Sequence, residues 1–155
     1  CHIAEVEIDP ETGRVFLASY GNVDDTGNMI NPMIVEGQIK GGIAQGAGQV
    51  LLEQSVYDSE GQLLTASFMD YAMPRADDLP LIQSSTFTDA PCLTNPLGAK
   101  GVGEIGTVGS IPTIANAILD ALWDQGVRKF DMPAYPQKIW KLIQDAKNLR
   151  QKLFC

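Results

Sequence analysis

The order of strand-like and helix-like runs predicts an α+β fold, with β-hairpins and a mixed sheet packed against a glycine-rich helix and two C-terminal helices. Short runs rich in β-branched and aromatic residues lie at 4–9, 15–20 and 82–88. Apolar residues recur at helical spacing over 31–54, 111–124 and 137–149. The two kinds of run do not alternate regularly as a doubly wound sheet would require.

The first two strands form a hairpin, because Asp9-Pro10-Glu11-Thr12-Gly13 between them supplies proline to preset φ and glycine for a positive φ. The polar run 21–27, with Asp24 and Asp25, reads as a loop. Asn31-Pro32 opens the first helix as an N-cap followed by proline at the first helical position. Val35, Ile39, Ile43, Ala47, Val50 and Leu51 continue it to about Gln54. A second hairpin is expected from 54–58 and 63–68 across Ser59-Glu60-Gly61, followed by a connection over 70–81 and a strand over 82–88. Residues 92–109 read as a glycine-rich loop. Ile111-Pro112 then starts a helix that Gly126 closes, and Pro133 and Pro136 precede a last helix with Ile139, Trp140, Ile143 and Leu149 on one stripe.

The 155 residues suit a single domain, 1–155. Eleven Lys and Arg against nineteen Asp and Glu leave a net charge of −8, which disfavours phosphate backbones and anionic lipid as partners. No apolar run is expected to approach the roughly 20 residues that span a bilayer. One histidine, His2, and three scattered cysteines, Cys1, Cys92 and Cys155, rule against a protein-ligated zinc site, an iron–sulfur cluster or a His-based triad, so no protein metal ligands are expected. Such cysteine usage suits a reducing cytoplasm. The start at Cys1, with no targeting stretch, reads as a fragment or a processed piece of something longer.

Two stretches break folding rules. The first helix carries Gly37, Gly41, Gly42, Gly46 and Gly48, each costing about 1 kcal/mol against alanine in a helix interior. Either another element packs so closely that only glycine fits, or a ligand lies against the Gln45-Gly46 face, where the Gln45 amide could both donate and accept. The second stretch runs from Asn95 to Ser110, with glycine at 98, 101, 103, 106 and 109. A bare loop leading into a helix points backbone N–H groups at whatever docks there. Glu104 is its single carboxylate, and Val102, Ile105 and Val108 around it suggest a dry pocket for a general base. The alternative is that Glu104 caps the helix or pairs with Lys100.

Gly101-Val102-Gly103-Glu104-Ile105-Gly106 also matches the GxGxxG dinucleotide pattern. Pro91 and Pro96 argue against a buried strand feeding it, and Asp120 and Asp124 fall inside a helix, so a nucleotide fold is rejected. Nor is it a Walker A loop, since Gly101 follows Lys100.

Taken together, Gly21 to Gly27, Val35 to Gly46, Asp70-Tyr71-Ala72-Met73-Pro74, Asn95 to Gly109 and Asp131-Met132-Pro133-Ala134 carry a resemblance. The chain resembles the C-terminal part of the molybdenum-binding large subunit of the xanthine dehydrogenase/aldehyde oxidase family, in the branch containing carbon monoxide dehydrogenase large-chain-like proteins. The resemblance implies an oxidoreductase of an aldehyde, an N-heterocycle or a similar small substrate, with water as oxygen source. It makes Glu104 the base that deprotonates a molybdenum-bound hydroxyl and sets Gln45 and Gly46 against the cofactor. Lys100, Gly101, Val102 and Gly103 would line the same pocket. The metal would be held by the pterin dithiolene, in the cytosine dinucleotide form, with 2Fe-2S and FAD centres in other domains or subunits. The expected partners are the remainder of the molybdenum subunit, iron–sulfur and flavin subunits, and a small-molecule substrate. The isolated chain, a C-terminal fragment of such a subunit, is then expected to be inactive. The other reading is a non-catalytic assembly or remnant domain that folds without cofactor.

Overall fold

The computed structural model describes residues 1–153. Strands β1 (His2–Ile8) and β2 (Val15–Asp25) form the first hairpin. The Asp9 carboxylate accepts from the Glu11 N–H and the Thr12 hydroxyl, which closes the turn. Gly13 takes φ +75° there and packs against the start of the last helix, where a Cβ would stand 2.5 Å from Trp140 N. Any side chain would therefore fail on both counts.

The sheet has order β1-β2-β3 and is mixed, as expected. β1 pairs antiparallel with β2, and β3 (Ile82–Phe87) pairs parallel with its other edge. This corrects the reading of 21–27 as a loop. β2 runs through Gly21 and Asn22 to Asp25, because Asn22 to Asp25 face Ser84 to Phe87 in register. The polarity is absorbed locally: buried Asn22 donates through Nδ2 to Asp24 Oδ2 at 2.7 Å and to Ser84 at 3.2 Å.

Helix α1 (Pro32–Leu51) begins where the sequence predicts, with Asn31 Oδ1 accepting from the Ile34 N–H at 3.2 Å. The predicted second hairpin shrinks to one bridge, Tyr57 with Leu63. Tyr57 and Leu64 are both exposed, so neither side of this ribbon has an apolar face to bury. The connection over 70–81 holds a single 3-10 turn, Ala76–Asp78.

Helix α2 (Ile105–Trp123) starts six residues before the position that Ile111-Pro112 suggested. Pro112 sits inside the helix, where it leaves the Val108 carbonyl without its usual N–H partner. One residue on, the Thr113 hydroxyl donates to Gly109 O at 2.8 Å. By length and composition α2 could cross a membrane, against the sequence expectation, but here it packs on α1 and β1 as a core helix. Gly126, at φ +96°, turns the chain after it. Helix α3 (Pro136–Leu153) buries Ile139, Ile143 and Ala146, whereas Trp140 and Leu149 of the predicted stripe are exposed. The seam that joins the core is narrower than periodicity implies.

The core joins Leu17 and Tyr20 of β2, Ile39, Ile43 and Val50 of α1, Ile114, Ile118 and Leu122 of α2, and Ile139 and Ile143 of α3. Each such side chain contributes about 1.5–3 kcal/mol by leaving water.

Candidate cofactor face and carboxylate

The crossing of α1 and α2 positions the site, and glycine makes it possible. A Cβ on Gly42 would stand 2.9 Å from Thr107 N and 3.0 Å from Gly106 Cα. One on Gly46 would overlap Ser110 Oγ, and one on Gly106 would overlap the Ile39 carbonyl oxygen. For these three glycines close helix packing is the explanation. Gly48 is covered as well, by Pro74 of the connection, whose Cδ would stand 2.7 Å from a Cβ there. Close packing does not serve for four more. Gly37 and Gly41 of α1, and Gly101 and Gly103 before α2, have no heavy atom within 4 Å of where a Cβ would be. None of the four has a positive φ. Nothing in the described chain requires them to be glycine.

Gln45 lies one turn beyond Gly41 on α1, exposed, and its side-chain oxygen is 3.0 Å from the Thr107 hydroxyl in the first turn of α2. The same hydroxyl is 3.1 Å from the Gly42 carbonyl oxygen. Glu104 is the residue before α2. Gln45 and Glu104 are thus gathered at one end of α2, although 59 positions separate them in the chain.

Glu104 is exposed, which corrects the expectation of a dry pocket within this chain. Val108 is exposed too, and Val102 and Ile105 are only half-buried. It lines a cavity of about 410 Å³ with His2, Asp24, Ile105, Val108, Gly109 and Thr113. Neither structural role foreseen for it is realised. Its side chain makes no capping bond to α2, and Lys100 Nζ pairs with Asp25 Oδ2 at 2.5 Å instead. The positive end of α2 still favours a negative charge at this position.

The loop carrying Gly101 to Glu104 is anchored to the end of β2. Gly27, at φ +57°, bridges Ala99, the Lys100 N–H donates to Thr26 O at 3.2 Å, and the Asn28 N–H donates to Gly98 O at 3.0 Å. The Lys100 contact holds the Asp25 carboxyl below its ordinary value of 3.8, helped by the Gly27 N–H. On the opposite wall, His2 joins Tyr20 and Asp24. Sequence reasoning found Glu104, Gln45 and the loop but missed Thr107, Asp25, and the His2–Tyr20–Asp24 set. Thr107 was placed in a loop, and the other partners lie too far apart in sequence for any local pattern to signal.

The residues fit a cofactor that brings its own metal ligands. Among the described residues no three His, Cys, Asp or Glu side chains gather where they could hold a metal. Four open glycines, an exposed amide and an exposed carboxylate offer instead bare backbone and hydrogen-bonding groups.

The comparison with known proteins decides the family. Residues 1–80 match the molybdopterin cofactor-binding domain. The chain belongs to that family. It is 39% identical over 142 residues to the 6-hydroxypseudooxynicotine dehydrogenase complex subunit gamma of Paenarthrobacter nicotinovorans, covering 92% of this chain and 18% of that protein. It is 39% identical over 144 residues to the carbon monoxide dehydrogenase large chain of Hydrogenophaga pseudoflava, with 93% and 18% covered. Among solved structures it superposes on quinoline 2-oxidoreductase from Pseudomonas putida 86 with a TM-score of 0.88 at 42% identity, over 93% of this chain and 18% of that one. The chain therefore spans less than a fifth of the length of these relatives. The mixed sheet and three helices of this molybdopterin cofactor-binding domain are the architecture those oxidoreductase chains contain.

Proposed function

We propose that this chain is the C-terminal, base-bearing part of a molybdenum hydroxylase that oxidises an aldehyde, an N-heterocycle or a similar small substrate. The observation that carries it is the Glu104 carboxylate, exposed at the N-terminus of α2 without a capping bond, beside Gln45 and four glycines that the chain itself leaves uncovered. A remnant domain would have no physical reason to keep Gly37 and Gly41 in a helix, at about 1 kcal/mol each.

The molybdopterin cofactor, when bound, supplies two-electron redox chemistry with water as the oxygen source. The chain's own residues supply the rest. Glu104 Oε accepts a proton from the attacking hydroxyl and later releases it to solvent; a positioned carboxylate of this kind contributes about 10²–10⁴-fold. Gln45 offers its amide to the cofactor edge, and Gly101, Val102 and Gly103 let it approach the backbone. Gly46 acts by letting α2 come close, and Lys100 acts by tying the loop to Asp25.

The remainder of the large subunit would cover the open face and dry the Glu104 site, so the isolated chain is inactive. Iron–sulfur and flavin subunits, the cytosine dinucleotide form of the pterin and a cytoplasmic setting complete this reading; the names of two relatives, a complex subunit and a large chain, support its assembly with other subunits.

The test is the molybdenum and pterin content of the full protein, purified from its native host with whatever accompanies it. About one molybdenum per large chain is the expected result under the tight binding such cofactors need. A metal-free and pterin-free assembly overturns the proposal.

A further inference from the structure

Thr107 has one hydroxyl proton and two oxygens within reach, Gly42 O at 3.1 Å and the Gln45 side-chain oxygen at 3.0 Å. A hydroxyl donates once and accepts freely. If the proton goes to Gln45, the Thr107 and Gly42 oxygens face each other with no hydrogen between them. If it goes to Gly42, a half-turn of the Gln45 amide brings Nε2 to the Thr107 oxygen, and every group is satisfied. The two amide orientations have the same shape and differ only in their hydrogen bonds.

We propose that Thr107 donates to Gly42 and thereby holds the Gln45 amide with Nε2 inward and Oε1 outward. Gln45 then offers the cofactor an acceptor, which takes an N–H or O–H group of the ligand and rejects a phosphate or other anionic oxygen. This rests on the reading above that the face binds molybdopterin. Thr107 is a positioning residue: it acts through Gln45.

Three features of the fold support the assignment. Gly42 has no side chain, so the first turn of α2 comes close enough for Thr107 to reach its carbonyl. That carbonyl has a second lone pair free to accept beside its helix bond. Gln45 is exposed, so without Thr107 its amide would be free to take either orientation.

The experiment uses the full protein with its partners and compares Thr107→Val, Thr107→Ser and Gln45→Met. Valine keeps the shape and removes the hydroxyl, whereas serine keeps the hydroxyl and removes a methyl. Packing alone predicts that valine behaves as wild type. The hydrogen bond predicts the reverse: Thr107→Ser retains wild-type pterin, and Thr107→Val loses about three- to tenfold, the worth of one hydrogen bond. Gln45→Met keeps the length and removes the outward acceptor, and it is expected to lose at least as much pterin as Thr107→Val. Wild-type retention by Thr107→Val overturns the proposal, as does a loss in Thr107→Ser as large as in Thr107→Val. Wild-type pterin in Gln45→Met overturns the assignment of Gln45 to the cofactor even if Thr107→Val fails to fold. A wild-type protein without pterin overturns the cofactor reading itself, so the two failures are told apart.

Discussion

His2 Nδ1 lies 2.6 Å from the Tyr20 hydroxyl, and the same ring places Nε2 3.0 Å from Asp24 Oδ1. One arrangement satisfies all three groups: Tyr20 donates to Nδ1, and Nε2–H donates to the carboxylate. The imidazole also fills the space over Gly109, where a Cβ would meet it at 2.5 Å. β1 and β2 are thereby locked against the first turns of α2, which carry Thr107 and follow Glu104.

Tyr20→Phe leaves His2 Nδ1 buried without its donor, and it is expected to destabilise the chain by about 1–3 kcal/mol in urea unfolding. A loss near zero would show that water or another donor replaces the phenol.

The Tyr20 phenol is pushed well above its ordinary value of 10.0 by burial, against an opposing hydrogen bond with Thr113, and the nearby Asp24 charge adds a smaller push upward. The unfolded chain releases this proton near the ordinary value while the folded chain keeps it. Stability is therefore intact below that pH and falls as pH rises beyond it. A stability–pH curve measured above neutrality should fall less steeply in Tyr20→Phe than in wild type; equal slopes would assign the loss to other groups.

The glycines divide into two classes with opposite expected effects. Gly106→Ala forces backbone apart at the Ile39 carbonyl and should unfold or strongly weaken the chain. Gly41→Ala meets nothing and should raise helix stability by about 1 kcal/mol. In the full protein the same Gly41→Ala should lower molybdenum content if the cofactor face is as proposed. Thermal melts of the chain and metal analysis of the assembly read the two effects separately.

The Asp25–Lys100 pair ties β2 to the loop across 75 positions of sequence. Because Asp25 is held below its ordinary 3.8, the contribution is present above that pH and is lost as pH falls through the lower folded value. Lys100→Met should lower stability slightly at neutral pH, by the small worth of an exposed pair, and the difference from wild type should vanish as pH falls through the Asp25 value. A difference that does not shrink on acidification would remove this pair from the account of the loop.

Glu104→Gln keeps the size of the side chain and removes its capacity to take a proton. In the assembled enzyme it should retain fold and cofactor and lower turnover by about 10²–10⁴-fold. Near-normal turnover with full cofactor would refute the assignment of Glu104 as base.

Much of this molecule was legible in local pattern. The hairpin turn from Asp9 to Gly13, the Asn31-Pro32 start of α1, the chain reversal at Gly126 and the mixed α+β class follow from rules that act within a few residues. The family was legible too, because five spaced motifs carry it. Glu104 and Gln45 stood out because glycine around them breaks those same rules.

What local pattern could not decide depends on remote partners. The polar end of β2 is a central strand because β3, some sixty residues later, pairs with it. α2 starts at Ile105 and runs through Pro112 because Gly106 seats against α1. Glu104 is exposed because no described residue covers it, although its neighbours are apolar. The sequence by itself determined the turn chemistry and singled out Glu104 and Gln45 as candidates. Only the tertiary structure decided which glycines serve packing and which stay open, and which two oxygens lie within reach of the Thr107 hydroxyl. Those outcomes are set by distances between elements, and a side chain's local neighbours carry no information about them.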